Sequence, residues 1–193
     1  MVVRQLPALP VGRTLYPRAV LMDTGALVAL ANRSDTNHTA AADCLQIIAQ
    51  HRLPLFVSLP TIYETHHRLL FDLGPNRARR FLEAVYDGLT NIVRTIDEDE
   101  KEARRLIDRY GALRLTLTDA VSMAVMTRLR IGACFSFDVH FLQAGYIRIP
   151  PFHLSRQNGS RGARARVLRW ASILRGDAVF RFVGATRSIS RWP

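Results

Sequence analysis

Short apolar runs alternate with helix-length segments along residues 18–149, and this alternation is what most restricts the fold. The sequence predicts strands at 18–23, 55–58, 91–96 and 133–137, with a fifth at 146–149. Alternating strands and helices build a parallel sheet that helices cover on its faces. We therefore expect an α/β protein with a central parallel sheet.

The segments between the strands carry signals for the beginnings of helices. Helices are predicted at 25–31, at 38–50, from residue 60 past residue 70, at 77–87, from 97 to 110 and at 119–130. Asn37 is expected to cap the second of these helices, and Pro60 suits the first turn of the third. Asp97 with Glu100 resembles a capping box, and Thr118 is expected to cap the last helix.

Charge and proline content divide the chain into three parts. Residues 1–17 contain three prolines and are expected to form an irregular leader, followed by a folded domain at 18–150. Residues 151–193 hold nine arginines and one acid, so they contribute +8 to the net charge of +11. We expect this basic C-terminal extension to be poorly structured. Its charge is compatible with nucleic acid or an acidic partner, without specifying either.

The composition is that of a globular protein, with 48% hydrophobic residues and a mean hydropathy of +0.02. No apolar run is long enough to cross a bilayer, and the N-terminus lacks the apolar core of a secretory signal. The two cysteines, Cys44 and Cys134, lie within apolar patterns and are expected to be buried free thiols. These features predict a cytoplasmic protein that does not bind membranes.

Four acids occur at matching places in this pattern. Asp23, Glu64 and Asp138 each follow a predicted strand, and Asp119 opens a predicted helix. The carboxyl ends of parallel strands lie along one edge of the sheet, so these acids are expected to meet there. Carboxylates a few ångströms apart raise one another's pKa unless cations neutralise them. Oxygen ligands suit Mg²⁺ or Mn²⁺, which activate water and bind phosphates, so the pattern predicts a metal-dependent nuclease.

The segments that carry these acids resemble the PIN domain, most closely the ribonuclease toxins of bacterial toxin–antitoxin pairs (VapC-like). They are 21–27, the beginning of the helix with Glu64, 117–120 and 135–141. The last resembles the family pattern T-x-D-x-x-F, with Ser136 in the Thr place. Each motif is weak alone, but the four in order are a strong signal over residues 18–150.

This resemblance implies a three-layer α/β/α fold, one or two Mg²⁺ or Mn²⁺ ions, and endonucleolytic cleavage of RNA. It also implies a homodimer and a cognate antitoxin that covers the site. Asp23 and Asp119 are the expected central metal ligands, with Glu64 and Asp138 binding directly or through water. The hydroxyls of Thr24 and Ser136 are expected to hold waters around the ion. Residues 111–116 lack an additional acid that many members carry, which leaves the number of ions open.

Other interpretations of Asp23 fit the sequence less well. Asp23-Thr24-Gly25 is also typical of aspartic proteases, but those need a second such loop in an all-β body, and the helices here exclude it. A phosphatase-like strand-end Asp requires an acid at position 25, which is glycine. Two functional alternatives stay open: a PIN nuclease of RNA processing or turnover, and a non-catalytic module that binds RNA or protein. His66, His67 and His140 are interpreted as surface residues, since no zinc spacing occurs.

Overall fold

The computed structural model of the protein describes residues 17–150. Apart from Pro17, the predicted leader lies outside the described residues, as does the predicted extension at 151–193. The division of the chain into these parts therefore stays a prediction.

Five short strands form one sheet in which every neighbouring pair is parallel. The strands are β1 (Val20–Met22), β2 (Leu55–Ser58), β3 (Asn91–Val93), β4 (Ala133–Phe135) and β5 (Ile147–Ile149). Their order across the sheet is β3-β2-β1-β4-β5, with Leu21 of β1 opposite Phe56 of β2 and Cys134 of β4. The predicted parallel sheet is confirmed, including its fifth strand.

Seven α-helices connect the strands within residues 17–150. They are α1 (Thr24–Ala31), α2 (His38–Gln50), α3 (Leu59–Leu73), α4 (Pro75–Ala84), α5 (Asp97–Arg109), α6 (Leu117–Arg128) and α7 (Val139–Gln143). A π-helical turn, Val85–Leu89, follows α4, and a short 3₁₀ turn, Gly111–Leu113, precedes α6. The short helix α7 was not predicted from the sequence.

Helices cover both faces of the sheet because successive strand residues point to opposite sides. Val20 and Met22 pack into a core with α1–α4, whereas Leu21 packs into a second core with α5–α7. Helix α1 is buried along almost its whole length, which explains its continuous apolar sequence. The structure thus confirms the three-layer α/β/α fold.

Several helix boundaries differ from the sequence prediction. The predicted helix 77–87 begins at Pro75, because Gly74 at φ +86° turns the chain and proline suits the first helical position. It ends at Ala84, and Gly88 at φ +80° closes the following π turn.

The predicted capping box of Asp97 and Glu100 is wrong by one residue at each position. Ile96 is the last extended residue, and the carboxylate of Asp99 accepts a hydrogen bond from its amide at 3.1 Å. Asp97 is instead the first residue of α5. In a capping box, the acid three residues after the last extended residue accepts a hydrogen bond from the amide of that extended residue. The cap is therefore identified once the last extended residue, here Ile96, is known.

Both cysteines are free thiols and are buried, as predicted. Burial raises the pKa of Cys44 to about 12, so this thiol stays protonated and unreactive at neutral pH. Among the helices of residues 17–150, none has the length and apolar character needed to cross a membrane.

Candidate metal centre

Asp23 lies at the carboxyl edge of the central strand β1. The chain passes from β1 to β2 on one side and later to β4 on the other, so the strand order reverses at β1. Ligands of open parallel sheets bind outside the carboxyl ends of the strands at such a point. Asp23 follows β1 directly, and its amide donates to the carbonyl of Phe135 at 3.0 Å, at the end of β4.

Asp23 is the most deeply buried of the four predicted acids, with 5% of its surface exposed. Burial, which penalises the charged form, raises its pKa to about 7. A hydrogen bond from the Ser136 hydroxyl (2.7 Å) opposes this shift, while the negative charges of Asp119 and Asp138 add to it. Asp23 is therefore a carboxyl group that a nearby cation would return to its ionised form.

Ser136 connects the acids that follow β1 and β4. Its Oγ donates to Oδ2 of Asp23 and accepts a hydrogen bond from the backbone amide of Asp138 at 2.9 Å. The side chain of Asp138 caps α7 by accepting from the amide of His140 at 2.8 Å. One hydroxyl thus fixes both the rotamer of Asp23 and the turn that presents Asp138.

Asp119 lies in the first turn of α6, as predicted, but the cap of that helix is Thr116 and not Thr118. The Thr116 hydroxyl accepts from the amide of Asp119 at 3.1 Å, and Oδ2 of Asp119 accepts from that hydroxyl (2.8 Å) and from the Thr116 amide (3.1 Å). Burial raises the pKa of Asp119, the Thr116 contacts oppose this shift, and the charges of Asp138 and Glu64 add to it.

Glu64 lies in α3, which begins directly after β2 and packs against α6. Its side chain is partly buried, and its charge acts on the carboxyl group of Asp119. Asp119 thus interacts electrostatically with Glu64, Asp23 and Asp138, and Asp23 also interacts with Asp138. Within residues 17–150, the cluster of potential ligand atoms that lie within 4.8 Å of one another includes Asp119 and Asp138 but neither Asp23 nor Glu64.

His140 lies beside Asp119 and Asp138, although it was predicted to be a surface residue. One ligand atom from each of Asp119, Asp138 and His140 lies within 4.8 Å of the others. Nδ1 of His140 is 3.0 Å from Oδ1 of Asp138. The spacing Asp-x-His is the sequence signal that could have predicted this placement of His140. An acid at the N-cap and the residue two positions further lie together at the first turn of a helix.

Three buried hydroxyls form contacts between α3 and α6. Oγ of Ser58 lies 2.7 Å from Oγ1 of Thr61 and 3.2 Å from Oγ of Ser122, and the last two are 3.1 Å apart. Ser58 also caps α3 by accepting from the amide of Thr61 at 3.3 Å. These contacts hold the helices that carry Glu64 and Asp119 against each other, and no sequence pattern predicted them.

Ser58→Ala is expected to lower the free energy of unfolding by about 1–2 kcal/mol, because it removes a helix cap and leaves two buried hydroxyls with one partner fewer. Urea denaturation measures this difference. Ser34→Ala in an exposed loop is the control and should change stability by less than about 0.5 kcal/mol. Equal stability of the two variants would show that the hydroxyl cluster does not stabilise the fold.

The donor set fits a hard divalent cation. Asp119 and Asp138 place carboxylate oxygens within 4.8 Å of each other, and burial raises the pKa values of Asp23 and Asp119. The hydroxyl of Thr24, next to Asp23, is buried and lacks a hydrogen-bond partner among residues 17–150. Oxygen donors of this kind are those that Mg²⁺ and Mn²⁺ prefer.

Comparison with known proteins supports this architecture. A family model described as the PIN domain matches residues 20–145. The structure is similar to that of Mycobacterium tuberculosis VapC20, a sarcin–ricin loop cleaving toxin, at 22% sequence identity and a TM-score of 0.62, covering 69% of this chain and 100% of that one. It is also similar to a chain of VapBC2 from Rickettsia felis bound to a DNA fragment from the promoter, at 12% identity and a TM-score of 0.53, covering 67% and 96%. No curated protein matches the sequence. At these identities the two structures show a shared fold.

Proposed function

The chain belongs to the PIN domain family, and from this premise we propose that it is a metal-dependent endoribonuclease and the toxin of a toxin–antitoxin pair. The observation that carries the proposal is the position of Asp23. A buried carboxyl group at the point where the strand order reverses, electrostatically coupled to Asp119 and Asp138, is costly unless a cation binds there.

Each acid has a proposed role. Asp23 and Asp119 would hold Mg²⁺ or Mn²⁺, and Glu64 and Asp138 would complete the set directly or through water. The chemistry that such an ion supplies is activation of a water for attack on phosphorus and neutralisation of charge on the leaving oxygen. Ser136 keeps Asp23 and Asp138 in one geometry, and Thr116 does the same for Asp119.

The proposed substrate and partner follow from the family and from the two similar structures. One of these proteins is described as cleaving the sarcin–ricin loop, and the other belongs to a VapBC pair bound to promoter DNA. We accordingly propose RNA as the substrate and a cognate antitoxin as the partner. A homodimer and a cytoplasmic location complete the proposal.

The direct test is cleavage of a structured RNA pool by purified protein with Mg²⁺, with Mn²⁺ and with EDTA. Asp119→Asn should lower the cleavage rate by at least about 100-fold, since it removes a charged ligand of the ion. Asp72→Asn, an exposed change near the end of α3, is the matched control and should retain full activity. Both variants are purified identically, so that a contaminating nuclease would cut equally in each.

Cleavage that persists in EDTA, or that Asp119→Asn leaves unchanged, would refute the metal-dependent nuclease. Well-folded protein that binds Mn²⁺ but cuts no RNA would support the non-catalytic module. A small gene beside this one, whose product binds the protein and stops cleavage, distinguishes a toxin from an RNA-processing nuclease.

A further inference from the structure

A nitrogen donor lies among the carboxylate oxygens of the proposed metal centre. We propose that Nδ1 of His140 is a ligand of the ion, and that it makes the site prefer Mn²⁺ to Mg²⁺. This inference rests on the proposed function, because it concerns the ion that the four acids would hold.

The backbone places His140 toward the acids. Asp138 is the N-cap of α7, and its Oδ1 accepts from the amide of His140 at 2.8 Å. This contact fixes the first turn, which brings Nδ1 to 3.0 Å from the same Oδ1. The first turn of α7 thus places the imidazole of His140 beside the carboxylate of Asp138.

Nδ1 of His140 lacks a hydrogen-bond partner in the part of the chain that the structure describes. The atom is inaccessible to solvent, and none of residues 17–150 forms a well-aligned hydrogen bond with it. Its closeness to Oδ1 of Asp138 is thus a contact without hydrogen-bond geometry. A buried polar atom normally has a partner, and a cation between His140 and the acids would supply one.

The spacing of the donor atoms suits a single ion. The ligand atoms of Asp119, Asp138 and His140 lie within 4.8 Å of one another. Ligands on opposite sides of an ion with bonds of about 2.1 Å are about 4.2 Å apart. Side-chain adjustments of a few tenths of an ångström would therefore let all three bind the same ion.

An imidazole among carboxylates changes which ion is favoured. Mg²⁺ binds oxygen ligands and keeps several of its waters, whereas imidazole is a ligand of the transition metals. Mn²⁺ accepts both carboxylate and imidazole. We expect the protein to bind Mn²⁺ about 10-fold or more tightly than Mg²⁺, with His140 as the origin of the difference.

The experiment measures Mn²⁺ binding to the full chain in the absence of RNA. Pulsed electron paramagnetic resonance of the Mn²⁺ complex should show modulation from a directly bonded ¹⁴N nucleus in the unaltered protein and none in His140→Asn. Asparagine at this position keeps the backbone hydrogen bond to Asp138 and offers an oxygen in place of the nitrogen. Calorimetric titration should show a loss of about 10-fold in Mn²⁺ affinity and of less than about 3-fold in Mg²⁺ affinity.

His51→Asn is the matched control, because residue 51 is exposed and follows α2 at the opposite edge of the sheet. This variant should keep the nitrogen signal and both affinities. Mn²⁺ binding without a nitrogen signal in the unaltered protein would overturn the role of His140 and leave the proposed function intact. Failure of the folded, unaltered protein to bind either ion would overturn both.

Discussion

Asp23→Asn is expected to stabilise the metal-free protein at pH 8 by roughly 2–4 kcal/mol while abolishing RNA cleavage. The carboxylate of Asp23 is buried and its pKa is raised from 3.8 to about 7, mainly by burial. Above pH 7 the folded protein therefore carries a buried charge that asparagine lacks. The amide oxygen of asparagine still accepts the hydrogen bond from Ser136, so the change alters charge with little change in shape.

The pH dependence follows from the direction of the shift. An unfolded Asp23 loses its proton near pH 3.8, whereas the folded protein keeps it until about pH 7. Between these two pH values the folded state binds one proton more than the unfolded state, so the contribution of Asp23 to stability falls as the pH rises. Above about pH 7 both states have lost this proton, and the contribution no longer changes. The advantage of Asp23→Asn over the unaltered protein should thus grow between pH 5 and pH 8.

Urea denaturation in EDTA at pH 5 and pH 8 measures this difference. Asp72→Asn removes an exposed carboxylate and should show no comparable gain at either pH. Saturating Mn²⁺ should reverse the order at pH 8, because it stabilises only the protein that retains its ligand. An equal gain at both pH values would mean that burial of the charge is not the cause.

The positions of Asp23 and Asp138 at one edge of the sheet could be predicted because they depend on local pattern and one general rule. Asp23 and Asp138 each follow a short apolar run, and parallel strands place such residues at one edge. The contacts between the acids depend on strand order, which no local pattern contains. Ser136 donates to Asp23 across 113 positions only because β4 lies beside β1. That hydroxyl was predicted to hold water, and the structure shows its direct contact with the carboxylate.

Element types were predicted more reliably than element ends, for a physical reason. Apolar runs determine what is buried, whereas a cap depends on which residue keeps extended backbone angles. Thr116 and Thr118 are both suitable caps by residue type, and Thr116 is the extended one, at φ −72° and ψ 160°. Arg114, two residues before Thr116, has a left-handed conformation with φ +50°. The residue type did not predict this conformation, which glycine and asparagine adopt more readily than arginine.

Asp99 and Arg128 form an ion pair that joins α5 to α6 and that no sequence pattern predicted. Nε of Arg128 donates to Oδ1 of Asp99 and Nη2 donates to Oδ2, both at 2.8 Å. The side chain of Asp99 is 1% exposed, and that of Arg128 is 31% exposed. Two parallel bonds between a guanidinium and a carboxylate are the strongest arrangement available to such a pair.

Arg128→Ala is expected to lower the free energy of unfolding by about 3–5 kcal/mol, because it leaves the carboxylate of Asp99 buried without a counter-charge. The amide of Ile96 remains as a donor to Asp99, so the helix cap persists while the charge is uncompensated. Arg128→Lys should recover only part of this loss, since an ammonium group cannot reproduce the two parallel bonds. Urea denaturation at neutral pH provides the comparison.

The matched control is the exposed pair of Arg105 and Glu102 on α5, with 3.2 Å between Nη1 and Oε2. Arg105→Ala also removes an arginine side chain, but one that is exposed to solvent, and should lower the free energy of unfolding by less than about 1 kcal/mol. The contrast between the two arginines isolates burial of the partner carboxylate as the cause, because both are helical and both are paired. Equal effects at the two positions would mean that water reaches Asp99 when Arg128 is absent. The link between α5 and α6 would then depend on the apolar contacts of Ala103, Leu106 and their neighbours.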